Sequence, residues 1–277
     1  MKFESHIKVD SNDKTAVDIL HNETALSRQV VKQAMNKGAV WLTHQQYTQR
    51  IRRADKQPKP GDELHIYYDE QVLKQQPAEA VLIADETIYS IWYKPRGMLS
   101  QGSKWGDHCT INRWIEKNHK PQRPAFIVHR LDRAAAGLMI IAHQKKIAAA
   151  FADLFAQQKI TKHYQAIVHG LFTSEETINL PVDEKPATSH VKSLQTDKDN
   201  NQTLLEVIIE TGRKHQIRKH LSEKGFPIVG DRLYGIENEN CDKDLCLTSS
   251  YLSFKSPVDE VEKFYTLPDK LLLKLAG

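Results

Sequence analysis

Apolar and polar positions follow two different patterns along this chain, and each pattern predicts a type of element. Between Ser27 and Gly38 the apolar residues lie three and four positions apart. This spacing predicts a short amphipathic helix that begins after a Ser27 N-cap and stops at Gly38. The same spacing in residues 143–160, with Ile147 and Phe151 on one face, predicts a second helix.

Short apolar runs bounded by turn residues predict strands. Residues 39–43 and 62–69 form two such runs, and two more flank Asp85 and Glu86. Another pair flanks the polar turn 197–201, so at least part of the sheet should be antiparallel. The pattern therefore predicts a protein that contains both helices and sheet.

A polar stretch containing Pro77, residues 71–80, divides the chain into a small and a large part. A chain of 277 residues can bury a sizeable core, and its length suits one large domain with a small companion. We therefore expect a module at residues 1–75 and a larger domain at residues 78–277.

The composition is that of an ordinary globular protein, with 40% hydrophobic residues and a formal net charge of +4. No apolar run reaches the roughly 18 residues of a membrane helix, and the N-terminal residues lack the apolar core of a secretion signal. These features predict a cytoplasmic protein without a membrane partner. Cys109, Cys241 and Cys246 are too few and too irregularly spaced for a disulfide framework or a four-cysteine zinc site.

Basic charge is concentrated between residues 28 and 59, where only Asp55 is acidic. Such a cluster can neutralise phosphates, although a solvated helix face is the alternative explanation. The segments "LSRQVVKQAMNKGAV" and "KPGDEL" resemble the small RNA-binding module named after the fourth protein of the small ribosomal subunit. The resemblance implies RNA binding, for which we expect the following contacts: Arg28, Lys32, Arg50, Arg52 and Arg53.

Three stretches of the larger domain are polar where the flanking residues predict a buried core. They are residues 129–137, 162–170 and 211–235. A buried carboxylate such as Asp132 is costly unless it is paired. Each stretch has a structural explanation as well, such as an internal ion pair or a solvated helix face.

Together these stretches resemble the RluA-type pseudouridine synthase family, and the resemblance covers residues 80–277. The motifs that carry it are His129-Arg130-Leu131-Asp132 followed by Ala136-Gly137, Lys162-x-Tyr164-x-Ala166-x-Val168-x-Gly170, Gly212 to Leu221, and Pro227 to Gly235. The fold that this implies is mixed α/β (α+β), with a mainly antiparallel sheet in the catalytic domain and a small helix-plus-strand module before it.

The resemblance implies isomerisation of uridine to pseudouridine in RNA, without a metal or organic cofactor. By family position Asp132 is the nucleophile, and Arg218, or as second candidate Arg213, is the guanidinium that favours its charged form. Arg130 would enter the space left by a flipped uridine, and Tyr164 would stack on or hydrogen-bond to the uracil. His129 and His215 complete the residues that we expect to contact substrate.

The chain departs from the family pattern at a few positions, which leaves other functions open. Ala135 and Ala136 stand where members usually carry Thr-Ser, so two hydroxyl groups that would support the nucleophile loop are missing. Tyr93 and Thr248 also replace the usual residues. The first alternative is therefore a non-catalytic RNA-binding or ribosome-assembly factor.

The second alternative is a metal-dependent hydrolase that uses Asp132, His215 and His220. The two histidines are five positions apart, which does not suit a metal pair on one helix face. We therefore expect no metal site. The expected partner is structured RNA, with ribosomal RNA slightly favoured over transfer RNA because of the N-terminal module, and the expected oligomeric state is a monomer.

Overall fold

The computed structural model describes residues 1–237 and 243–275. In chain order, the elements in these ranges are β1 (Lys2–Lys8), α1 (Ala16–Glu23), α2 (Arg28–Asn36), β2 (Val40–His44), β3 (Tyr47–Arg50), β4 (Glu63–Asp69), α3 (Glu70–Lys74), β5 (Val81–Asp85), β6 (Tyr89–Lys94), α4 (Ile111–Asn118), β7 (Phe126–Ile127), β8 (Ala136–Ala142), α5 (Lys145–Ala156), β9 (Ile160–His169), β10 (Glu175–Ile178), β11 (Ser189–Asp197), β12 (Gln202–Ile209), α6 (Gln216–Glu223), β13 (Leu247–Lys255), β14 (Glu262–Thr266) and a 3₁₀ turn (Asp269–Leu271).

The described helices and strands confirm the mixed fold class. None of these helices is long and apolar enough to cross a membrane. Cys109 is buried and Cys246 is half-buried, whereas Cys241 lies outside the described residues.

The chain forms two compact units, of which the first combines Met1–Pro77 with Gln101–Lys117. The second combines Ala78–Ser100 with the chain from Asn118 onward. The inclusion of residues 101–117 in the first unit differs from the simple division that we expected near residue 77. Asp107 gives one physical reason, because it accepts a 2.5 Å hydrogen bond from Arg52 of the N-terminal module.

The first unit is an antiparallel sheet in the order β1-β4-β2-β3, packed against α1 and α2. Helix α2 begins as predicted, because the Ser27 side chain accepts the backbone N–H of Val30. Its apolar face buries Val31 and Met35 in the core of this unit. The expected linker at residues 71–80 begins instead with helix α3, which an Asp69 N-cap starts.

The second unit is built on a sheet in the order β10-β11-β12-β9-β13-β8-β6-β5, with β14 paired to β13 and β7 to β8. Its described pairings are antiparallel except that of β13 with β8. Helix α5 covers β8, and Phe151 packs edge-on against Tyr89 and Phe254 in the core. The apolar face predicted for this helix is therefore the face that the sheet needs.

The arrangement around β13 brings the polar stretches of the second unit together. β13 pairs with β8 on one side and β9 on the other, so the loop before β8 approaches the Tyr164 strand. Gly137 makes the first pairing possible, because a Cβ at this position would lie 2.3 Å from the carbonyl oxygen of Ser249. Gly137 also has a φ of +120°, which side-chain-bearing residues rarely adopt.

Candidate active site

The second unit contains a cavity of about 310 Å³ where the loop before β8, strand β9 and the N-terminal end of α6 meet. Six of the polar residues predicted from the sequence line it: Arg130, Asp132, Tyr164, Arg213, His215 and Arg218. The structure therefore brings together most of the residues that were selected in three separate stretches of sequence.

Asp132 lies in the loop between β7 and β8, with 22% of its side chain exposed. Its Oδ2 atom is 3.4 Å from Nη1 of Arg218 and 3.7 Å from Nε2 of His215. The carboxylate thus faces the cavity with the guanidinium group of Arg218 on one side.

Arg218 is held in place by Asp231. This residue lies in the Pro227 to Gly235 motif, but no role was predicted for it from the sequence. Nε and Nη2 of Arg218 donate to the two oxygens of Asp231 at 2.7 and 2.6 Å. Only 6% and 1% of these two side chains are exposed. Burial would raise the pKa of Asp231, but hydrogen bonds from Arg218 and from the backbone lower it on balance. The pair therefore stays charged and directs the remaining Nη1 of Arg218 toward Asp132.

Tyr164 lies on β9 with 9% of its surface exposed. Burial raises the pKa of its phenol, and the charge of Asp132 raises it further. The hydroxyl group therefore remains protonated at neutral pH and can act as a hydrogen-bond donor. The aromatic ring offers a flat apolar wall to whatever enters the cavity.

His215 adopts the left-handed conformation, with φ +57°, immediately before α6. Its Nδ1 is 3.0 Å from the hydroxyl oxygen of Tyr234, and its Nε2 faces Asp132. Burial lowers the pKa of His215, and the opposing charge of Asp132 does not reverse this. A neutral ring at this position can share a proton with Asp132 or with a substrate group.

Lys94 supports the loop that carries Asp132. Its buried ammonium group donates to the carbonyl oxygens of Pro95, Met98 and Ala135 at 3.1, 3.0 and 2.6 Å. Burial lowers the pKa of Lys94 to about 7, against the charge of Asp132 that raises it. These backbone contacts support the loop in a chain that has alanines instead of the usual hydroxyl residues.

His129 is not among the residues that line the cavity. Its Nε2 accepts the backbone N–H of Ile140 at 2.9 Å, and its ring stacks on Phe155 with 4.7 Å between centroids. Burial, together with the charge of Lys162, lowers the pKa of His129 to about 3. These contacts fix the loop to β8, and the substrate contact that we expected for His129 stays a prediction.

The geometry does not support the hydrolase alternative. The ring nitrogens of His220 bond to Ser189 Oγ at 3.0 Å and to the carbonyl oxygen of Leu180 at 2.9 Å, so the ring is not a partner of Asp132. Among the described residues no group of three or more His, Cys, Asp or Glu side chains is arranged to hold a metal ion.

Comparison with known proteins agrees with this geometry. A family model described as RNA pseudouridylate synthase matches residues 88–223, which include Asp132, Tyr164 and Arg218. The matched range is just under half of the chain, and over it the chain is similar to RNA pseudouridine synthases. Its activity class is therefore that of an isomerase acting on uridine in RNA.

Relatives within this family match the chain over different lengths. A ribosomal large subunit pseudouridine synthase D of Buchnera aphidicola is 29% identical over 263 residues, which cover 81% of this chain and 84% of that protein. The synthase D of Nitrosomonas europaea is 35% identical over 175 residues, covering 56% of this chain and 49% of that protein. An uncharacterized RNA pseudouridine synthase of Chloroflexus aurantiacus is 41% identical over 123 residues, and the chain spans only 38% of its length.

Solved structures show the same fold. The human RNA pseudouridylate synthase domain containing 1 has a TM-score of 0.60 and 20% identity, over 72% of this chain and 88% of that one. At this level of identity the likeness concerns the fold alone.

The basic residues predicted in the N-terminal unit of this synthase are placed in several ways. Arg50 donates Nε to the carbonyl oxygen of Gly38 at 2.9 Å, and its Nη1 lies 3.4 Å from Asp107. Arg52 also binds Asp107, at 2.5 Å. These two arginines therefore hold the segment around Asp107 within their own unit.

The other three predicted contacts in this unit lie at its surface. Arg28 pairs with Asp18 at the start of α2. Lys32 and Arg53 have exposed side chains. These two are accordingly better placed than Arg50 or Arg52 to meet a phosphate.

Proposed function

We propose that this synthase isomerises uridine in ribosomal RNA, with Asp132 as the nucleophile. The observation that carries the proposal is the Asp132 carboxylate, which faces a cavity beside Arg218, itself fixed by Asp231. Ribosomal RNA is proposed because several relatives are described as ribosomal large subunit pseudouridine synthase D. Transfer RNA is the competing substrate class.

The reaction needs a polar cavity that keeps hold of a detached base. The N1–C1′ glycosidic bond of uridine breaks, the uracil turns, and a C5–C1′ bond forms. C5 gives up its proton and N1 gains one, so the overall composition is unchanged. Asp132 would provide the nucleophilic oxygen for a covalent bond that forms in the first half of the reaction and breaks in the second. Arg218 would stabilise the carboxylate charge before this bond forms and after it breaks.

The target base must leave its stack to reach this cavity, at a cost of a few kcal/mol. Arg130 is exposed at the cavity wall and would occupy the space that the base leaves. Tyr164 would stack on or hydrogen-bond to the uracil, a contact worth about 1–3 kcal/mol. Arg213 and His215 would contact the ribose or its phosphates.

Surface residues of the N-terminal unit would add affinity that depends on salt but little on sequence. Lys32 and Arg53 are the leading residues for this role. We further propose that the protein acts as a monomer in the cytoplasm, where ribosomal RNA is found.

The test is release of tritium from RNA labelled at C5 of uridine, because C5 loses its hydrogen when it joins the sugar. Unmodified transcripts of ribosomal RNA and of transfer RNA are incubated separately with the protein. Release from the ribosomal transcripts alone supports the proposal. Release from transfer RNA alone would overturn the assignment of the RNA class.

The alternative of a non-catalytic RNA-binding factor makes a different prediction. Such a protein would bind ribosomal RNA and release no tritium from any transcript. Measuring binding and release on the same transcripts therefore separates an enzyme from a protein that only retained the fold.

A further inference from the structure

A second cavity of about 280 Å³ adjoins the candidate active site and shares Gly212 and Arg213 with it. Phe155, from the last turn of α5, forms part of its wall, and Lys162 on β9 also lines it. Lys162 and Tyr164 are two positions apart on one strand, so their side chains leave the same face of the sheet. A strand of substrate that enters the first cavity therefore passes next to the second.

Lys162 has a largely buried side chain and no counter-charge among the described residues. Its surface is 9% exposed, and among the described residues no carboxylate lies within ion-pair distance of its ammonium group. Burial lowers the pKa of Lys162. A buried cation is costly unless it is paired, so the cavity is suited to an anion that arrives with the substrate.

Arg213 fits an anion in this cavity, and the one acidic residue of its described lining points away toward His190. Arg213 is exposed, and its Nε donates to the carbonyl oxygen of Pro186 at 3.1 Å, which fixes the direction of the guanidinium group. Glu210 is the acidic residue in the wall, but 55% of its side chain is exposed and it bonds to His190 at 2.8 Å. The acidic side chain thus lies at the rim, and the largely buried side chain is the basic one.

We propose that this cavity binds a backbone phosphate of the RNA next to the flipped uridine, with Lys162 as the buried ligand and Arg213 at the rim. The inference rests on the proposed function, since it takes the substrate to be an RNA strand that enters the Asp132 cavity. A lysine offers three donors and no acceptor, which suits a phosphate and not the edge of a base.

The test is Lys162→Met, which keeps the length of the side chain and removes its charge. We expect the KM for the ribosomal transcript to rise about tenfold with kcat unchanged, because the lost contact binds substrate and transition state alike. The slope of log KM against log salt should fall by about one phosphate contact. Lys198→Met, at an exposed turn, is the matched control and should leave both quantities unchanged.

A modified substrate provides an independent arm that needs no folded variant. Methylphosphonate linkages replace, one at a time, the phosphates that flank the uridine modified by the wild-type protein. One such neutral linkage should weaken binding by the wild-type protein about tenfold and binding by Lys162→Met little further. Equal weakening of both proteins, or a Lys162→Met variant with wild-type KM and salt slope, would overturn the proposal.

Failure of the proposed function leaves a different signature. If the wild-type protein binds the transcript but releases no tritium, the assigned activity is wrong. Binding by Lys162→Met in the same assay still decides the phosphate site, since a variant that binds as the wild-type protein does overturns it.

Discussion

Charged residues that the sequence predicts to be functional lie in both units of this molecule, but their partners differ between the two units. In the second unit, Asp132 and Arg218 come from distant stretches and meet at one cavity. In the first unit, Arg50 and Arg52 bind Asp107 and backbone carbonyl groups of their own unit. The motifs identified charged residues that lie together at one cavity. The high density of basic residues did not distinguish the arginines that bind groups of their own unit from the basic residues exposed at its surface.

The largest effect is expected at the support of the cavity. In Asp231→Ala the buried Arg218 loses its two-point partner. Removal of one partner from a buried ion pair costs about 3–5 kcal/mol. We expect the free energy of unfolding, measured with urea, to fall by this amount and tritium release to fall with it.

Asp199→Ala, at an exposed turn, is the control for Asp231→Ala and should leave both quantities near wild type. If Asp231→Ala unfolds like the wild-type protein, Arg218 is not held as described. The contrast between a charged residue fixed by a buried partner and a charged residue exposed at the surface would then be lost.

An intermediate effect should separate the two kinds of arginine in the first unit. In Arg50→Gln/Arg52→Gln the ties to Asp107 are lost, so stability should fall by about 1 kcal/mol for these partly buried pairs. Arg53→Gln should leave stability unchanged and lower the salt slope of RNA binding by about one. Filter binding over a salt series and urea unfolding provide the two measurements. The reverse pattern would show that the exposed arginine is structural.

Helix α2 and Gly137 show what could be predicted from the sequence. The Ser27 cap, the spacing of apolar residues and the end at Gly38 are local signals, and the helix lies where they place it. Gly137 belongs to the motif that begins at His129, but the need for a glycine at this position comes from a tertiary contact. The backbone of β13 lies where a Cβ would be, and no local pattern contains that information.

The residues missed by sequence reasoning are missed for a related physical reason. The Gly-Asp pair in the Pro227 to Gly235 motif was the signal in the sequence that could have identified Asp231. Its pairing with Arg218 depends on the packing of α6 beside it. The assignment of residues 101–117 to the first unit likewise depends on contacts such as Arg52 with Asp107. The Arg218–Asp231 and Arg52–Asp107 contacts are both pairings between charged side chains that lie apart in the sequence.

A further prediction concerns the pH dependence of stability and the loop that carries Asp132. Burial lowers the pKa of His129 to about 3 from an ordinary value of 6.5, so in this interval the unfolded chain binds a proton that the folded protein does not. The stability that a neutral His129 provides is complete above pH 6.5 and is lost as the pH falls toward 3. His129→Gln should therefore lose less stability than the wild-type protein between pH 7 and 4.5, as measured by urea midpoints. An identical loss in both proteins would contradict this explanation.

The most direct test of the central claim is pseudouridine formation by Asp132→Asn under single-turnover conditions, with Asp153→Asn on the exposed face of α5 as the matched control. Pseudouridine is measured by nucleoside analysis of a ribosomal transcript incubated with excess protein. The account predicts that Asp132→Asn binds the transcript and forms no pseudouridine, while Asp153→Asn forms it at the wild-type rate. Pseudouridine formation by Asp132→Asn at the rate of the control would contradict the role of Asp132 as nucleophile.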